Sequence, residues 1–102
     1  MNSKQRAFLR SLASNIDPSF QIGKSCLSPE VTEAVLECFN THELVKINVL
    51  KNCPDDIKFM AQTLAERTGS TVVEVIGRKI VLYKEDTDNK DNKNGKKIIL
   101  PR

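Results

Sequence analysis

The sequence predicts an α/β fold, an α+β two-layer sandwich with helices packed on a mixed four-stranded sheet, in the order helix, strand, helix, strand, helix, strand, strand. Segments with helical spacing of apolar residues alternate with segments of period two, which argues for helices laid on a sheet. Gly77-Arg78 separates two β-branched runs by two residues, which makes the last strand pair antiparallel. A chain of 102 residues with 39% hydrophobic content can bury one modest core and no second one.

The first helix is expected over Ser3 to Ala13. Phe8, Leu9 and Leu12 gather on one side of its wheel, while Arg6 and Arg10, one turn apart, are expected to point away from the core. Asp17-Pro18 ends it, and residues 19–22 read as a short strand running into Gly23. Ser28-Pro29 then marks a helix start, because the serine oxygen can accept from free backbone N–H groups and proline at the first position forfeits none. This second helix is expected to reach about Asn40, with Val31, Ala34, Val35, Cys38 and Phe39 inward and Glu30, Glu33 and Glu37 toward solvent.

Residues 44–50 carry Val45, Ile47 and Val49 at period two, with Lys46 and Asn48 on an opposite, more exposed face. Pro54-Asp55-Asp56 opens a third helix with acidic residues near its positive end. Ile57, Met60, Ala61, Leu64 and Ala65 form its apolar stripe, and Gly69 closes it. Residues 71–76 and 79–83 form the terminal hairpin, with glycine first in its turn. Residues 85–97 hold no large apolar side chain and read as a flexible polar linker to the tail Ile98-Ile99-Leu100-Pro101-Arg102. The expected organisation is one domain over residues 1–84 and a linker with tail over 85–102, without internal repeats.

Sixteen Lys and Arg against thirteen Asp and Glu give a net charge of +3 and a pI near 8.8, a weak bias toward polyanionic partners. No stretch approaches the roughly 20 apolar residues of a membrane span, and the first residues lack the apolar run of a secretory signal, so a soluble cytoplasmic protein is expected. Cys26, Cys38 and Cys53 form no CxxC pair and His42 is the one histidine. Buried or incidental thiols are expected, with neither a disulfide framework nor a metal site. With no Ser-His-Asp pattern, nucleophile elbow or P-loop, neither catalytic residues nor a cofactor are expected.

Four segments are similar, in order and spacing, to one family. They are Lys4-Gln5-Arg6-Ala7-Phe8-Leu9-Arg10, Ile22-Gly23-Lys24, His42-Glu43-Leu44-Val45-Lys46-Ile47 and Val75-Ile76-Gly77-Arg78-Lys79-Ile80-Val81-Leu82-Tyr83-Lys84, and the close Lys97-Ile98-Ile99-Leu100-Pro101-Arg102 agrees as well. Together they resemble the YhbY family, the bacterial stand-alone form of the chloroplast RNA splicing and ribosome maturation (CRM) domain. The resemblance implies a fold similar to the C-terminal domain of translation initiation factor three, association with large-subunit rRNA or its precursor particles, and no cofactor. Family members usually carry a Gly-x-x-Gly loop before the second helix, similar to the loop with which KH domains clamp a nucleic-acid backbone. This chain has Gly23-Lys24-Ser25-Cys26. Cysteine disfavours positive φ, so either the position is not left-handed or the loop sits differently.

Attraction to RNA requires cationic side chains gathered on one surface. The candidates are Lys4, Arg6 and Arg10 on the first helix, Gly23 and Lys24 in the loop, Lys46 on the second strand, and Gly77, Arg78, Lys79 and Lys84 around the hairpin. Free N–H groups at the start of the second helix, beside Lys24, would anchor a phosphate. With no Trp, one Tyr and four Phe, of which Phe8, Phe39 and Phe59 lie in helices, base stacking is not expected to be the main device; shape and backbone are. His42 is expected to serve a local hydrogen bond. A monomer bound to RNA and to no membrane is expected. The competing expectation is a protein-interaction module that docks another assembly or translation factor through acidic helix faces, among them Glu30, Glu33 and Glu37 of the second helix, and the charged tail.

Overall fold

A computed structural model describes residues 2–24 and 26–85 of the chain. Seven elements follow in order: α1 (Ser3–Ala13), β1 (Phe20–Ile22), α2 (Pro29–Cys38), β2 (Leu44–Val49), α3 (Ile57–Thr68), β3 (Thr71–Ile76) and β4 (Lys79–Tyr83). The expected linker and tail lie, apart from Glu85, outside the described residues. Among the described residues, no helix is long and apolar enough to cross a membrane.

Each helix begins where a short polar side chain takes up an otherwise unpaired N–H. Asn2 and Gln5 form a reciprocal capping box on α1, at 2.8 and 3.2 Å. Ser28 accepts from Val31 N–H at 3.4 Å with Pro29 at the first helical position, and Asp56 accepts from Phe59 N–H at 3.1 Å. α2 stops at Cys38 rather than near Asn40, because the chain tightens there. The N–H groups of Phe39 and Asn40 reach back three residues, to Leu36 and Glu37. α3 ends on Gly69 at φ 70° and ψ 31°, the left-handed geometry glycine adopts without a Cβ penalty.

The sheet runs β1-β2-β4-β3, with β1 parallel to β2 and the other pairs antiparallel. Val45, Ile47 and Val49 of β2 and Ile80 and Leu82 of β4 face α2 and α3, and with Ile22, Val31, Val35, Phe39, Met60 and Leu64 they form the main core. The alternate residues Leu44, Val73, Val81 and Tyr83 pack against Leu9 and Ala13 of α1 in a separate, smaller cluster. Period two therefore places α1 on the opposite face, where it adds a partial third layer. Lys46, expected on an open face, is half-buried for this reason. Glu43, at the entry to β2, is fully buried, and its carbonyl accepts from Lys84 N–H.

The β3–β4 turn pairs Ile76 with Lys79 across Gly77-Arg78, with Gly77 at φ 56°. A Cβ on Gly77 would meet nothing within 4 Å. Replacing Gly77 with alanine should thus cost backbone energy alone, about 1–2 kcal/mol of stability for a left-handed residue that is not glycine. Urea unfolding of Gly77→Ala checks this. An unchanged midpoint would show that the turn relaxes to another type.

Candidate nucleic-acid interface

Topology brings three connections to one end of the sheet. Parallel pairing puts the C-terminal ends of β1 and β2 side by side, and β4, antiparallel to β2, starts at the same end after the hairpin turn. Backbone bonds tie them: Leu50 N–H donates to Ile22 carbonyl and Val49 N–H to Arg78 carbonyl, both at 2.7 Å. The Gly23-Lys24 loop, the β2–α3 connection and the Gly77-Arg78 turn therefore sit together. Lys24, Lys51 and Lys79 project from them, exposed and without a hydrogen-bond or ion-pair partner among the described residues. The loop also leads into the N-terminus of α2, whose free N–H groups add positive potential.

Lys51 did not figure among the sequence candidates. Its signal was its place directly after β2, at the end of the sheet that the glycine loop and the hairpin turn also occupy, and that place depends on strand pairing.

Three of the expected RNA-facing cations are instead turned onto the protein's own carbonyls. Arg6, expected on an outward basic face, is half-buried and its Nη1 donates to the carbonyls of Val72 and Val73, at the bulge in β3. A bulge interrupts the ladder and leaves carbonyl capacity to be satisfied. The Lys46 ammonium donates to Ala13 and Ile16 carbonyls at 3.1 and 3.2 Å, at the negative end of α1. Arg78 donates through Nε to Val49 carbonyl at 2.9 Å and through Nη2 to those of Leu50 and Cys53 at 2.6 and 3.1 Å. Lys4 and Arg10 remain exposed on α1, and Lys84, half-buried, follows β4 at the other end of the sheet from the loops. Gly23 lies against Leu50 and Asn52, where an added Cβ would make ordinary contacts, so space alone does not demand glycine there.

Cys26 has φ 48°, the one positive φ at a non-glycine among the described residues. The loop therefore keeps the left-handed bend at the position where the family pattern carries its second glycine, with a cysteine held in a sparsely populated conformation. Its Sγ, that of Cys53 and a carboxylate oxygen of Asp55 lie within 4.8 Å of one another. The hydrogen bond with the Cys53 thiol, then burial and the Asp55 charge, push the Cys26 thiol up to about 11. Burial, with a contribution from Glu37, raises the Cys38 thiol as well.

Tyr83 and Phe39 are core residues, whereas Phe59 is 60% exposed. Phe59 falls off the Ile57-Met60-Ala61-Leu64 stripe of α3, so the helical wheel already carried this signal. His42 shares a 2.9 Å hydrogen bond between Nδ1 and Thr41 Oγ1, the local role expected of it. A cleft of about 270 Å³ opens between the end of α1 and the part of the sheet that α1 leaves uncovered. Ala13, Lys46, Glu74, Ile76 and Lys79 line it, so Lys79 borders both the cleft and the loop cluster.

Residues 1–84 match the family model of the CRS1 / YhbY (CRM) domain. The chain is 39% identical over 90 residues to YqeI of Bacillus subtilis, which is named a probable RNA-binding protein; the match spans 88% of this chain and 94% of that one. It is 28% identical over 102 residues to a Haemophilus influenzae protein named as RNA-binding, spanning 100% of this chain and 96% of the other. A hypothetical protein of Staphylococcus aureus, described with its solution structure as a candidate RNA binder, superposes with a TM-score of 0.77 at 44% identity, covering 99% of both chains.

Proposed function

Because this chain belongs to the CRS1 / YhbY (CRM) domain family, we propose that it binds RNA without catalysis, taking large-subunit rRNA or its precursor as partner during ribosome assembly in the cytoplasm. Residues 1–84 act as the RNA-binding domain, which meets the phosphate backbone through the loop cluster. The observation that carries this is that Lys24, Lys51 and Lys79, drawn from three distant segments, stand exposed at one end of the sheet, where the Lys24 loop leads into the N-terminus of α2. Unpartnered cations at that end can release counterions from phosphates, which is the dominant source of backbone affinity. Lys4 and Arg10 extend the basic surface over α1, and Lys84 adds charge beyond β4. Arg78 holds the β2–α3 connection against the hairpin turn, Arg6 and Lys46 tie α1 to the sheet, and Gly23 and Gly77 shape the loops that present the charges.

Neutralising Lys24, Lys51 and Lys79 together should weaken binding across RNA sequences by about tenfold or more at low salt. It should also reduce the slope of log affinity against log salt by about 2, since each phosphate contact on single strands contributes roughly 0.7. A fluorescence-anisotropy salt series on the parent and the triple alanine variant measures both. An unchanged slope would remove the loop cluster from the RNA interface and favour docking of a protein factor. Cross-linking in cells tests the ribosomal part separately, and a contact map without large-subunit rRNA would overturn it.

A further inference from the structure

Cys26 and Cys53 lie on connections separated by the whole of α2 and β2, so no spacing motif links them, yet their sulfurs and the Asp55 carboxylate converge within 4.8 Å. We propose that these three side chains form a binding site for a divalent, borderline-soft metal ion of the zinc type, with solvent water as the fourth ligand.

The geometry is close to what such an ion requires. Zinc–sulfur bonds of about 2.3 Å at tetrahedral angles set two thiolates about 3.8 Å apart, and a carboxylate oxygen sits at about 2.0–2.2 Å from the metal. The three ligand atoms, all within 4.8 Å of one another, stand near these separations. Both backbones are already held: Cys26 N–H donates to Gly23 carbonyl and Cys53 N–H to Leu50 carbonyl, each at 3.1 Å, and Arg78 grips the Cys53 carbonyl. Cys53 is buried with its thiol 3.7 Å from Met60 Sδ, while Cys26 and Asp55 open toward solvent, which leaves an entry path. The carboxylate favours zinc over a softer monovalent ion such as copper(I). On binding, the two thiol protons pass to solvent and two metal–sulfur bonds form.

A metal at this point would fasten the Gly23–Cys26 turn to the start of α3. The ion would also lie in the loops that carry Lys24 and Lys51; an effect of loading on RNA affinity rests on the RNA reading above, whereas the metal site does not.

Cobalt(II) titration of the reduced full chain provides the test, because thiolate ligation gives an intense sulfur-to-cobalt charge-transfer band that oxygen ligands lack. One equivalent should bind, and zinc should displace it. Cys26→Ser, at a half-buried loop position on the edge of the main core, should abolish the band while circular dichroism shows a folded protein. Asp55→Asn should weaken binding about tenfold or more, and Cys38→Ser should leave it unchanged. A parent protein without the band overturns the proposal, as does a band that survives Cys26→Ser or disappears with Cys38→Ser. Failure of RNA binding appears instead in the salt series and leaves this result untouched.

Discussion

Arg78→Ala should lower the free energy of unfolding by about 2–4 kcal/mol. The guanidinium is the common donor to three carbonyls, those of Val49, Leu50 and Cys53, and a hydrogen bond from a charged donor contributes about 1.5–3 kcal/mol net where it is shielded from water. The bonds are not independent, and those of Nη2 lie partly in solvent, which keeps the total well below the sum of three. Without Arg78, the β2–α3 connection loses its tie to the hairpin and the loop cluster loosens. Arg78→Lys should recover only part of the loss, since an ammonium cannot span the three acceptors that the planar fork reaches. Chemical denaturation of both variants measures the effect. If Arg78→Ala left stability intact and reduced RNA affinity alone, Arg78 would be an RNA contact and not the clamp its bonds indicate.

Leu9→Ala should cost about 3–5 kcal/mol, in the range for a fully buried leucine whose site cannot collapse around the void. Leu9 has no exposed surface and stands between α1 and the sheet residues Leu44, Val73, Val81 and Tyr83. Because that cluster is separate from the main core, the damage should be local first. Amide exchange should accelerate over Ser3–Ala13 while α2 and α3 stay protected. Uniform loss of protection would show instead that α1 unfolds only with the whole domain. A chain of this size has a total stability of about 5–15 kcal/mol, so either substitution removes a large share of it.

Most of the fold was legible because its signals are local. The Ser28-Pro29 start of α2, the Pro54-Asp55-Asp56 opening and Gly69 stop of α3, and the Gly77-Arg78 turn each act within a few residues, and the structure has them where the sequence places them, with Asp56 as the cap of α3. The candidate site was legible only in part. Lys24 and Lys79 stand exposed as expected, but the helical wheel that turned Arg6 outward carried no information about a bulge in β3. Nor could the chain order reveal that Lys51 joins Lys24, or that Cys26 meets Cys53, since both meetings depend on β1 pairing in parallel with β2.

The elements, their order, the family and the overall basic character could all be read from the chain alone, because periodicity, capping and turn chemistry are properties of short segments. Which positive charges stay exposed depends on how the chain packs. Arg6, Lys46 and Arg78 look no different in the sequence from Lys24, Lys51 and Lys79. They differ because a strand bulge, a helix C-terminus and a strand end each leave carbonyl oxygens to satisfy, and a long cationic side chain within reach satisfies them. Where folding leaves no such acceptor nearby, the charge stays on the surface.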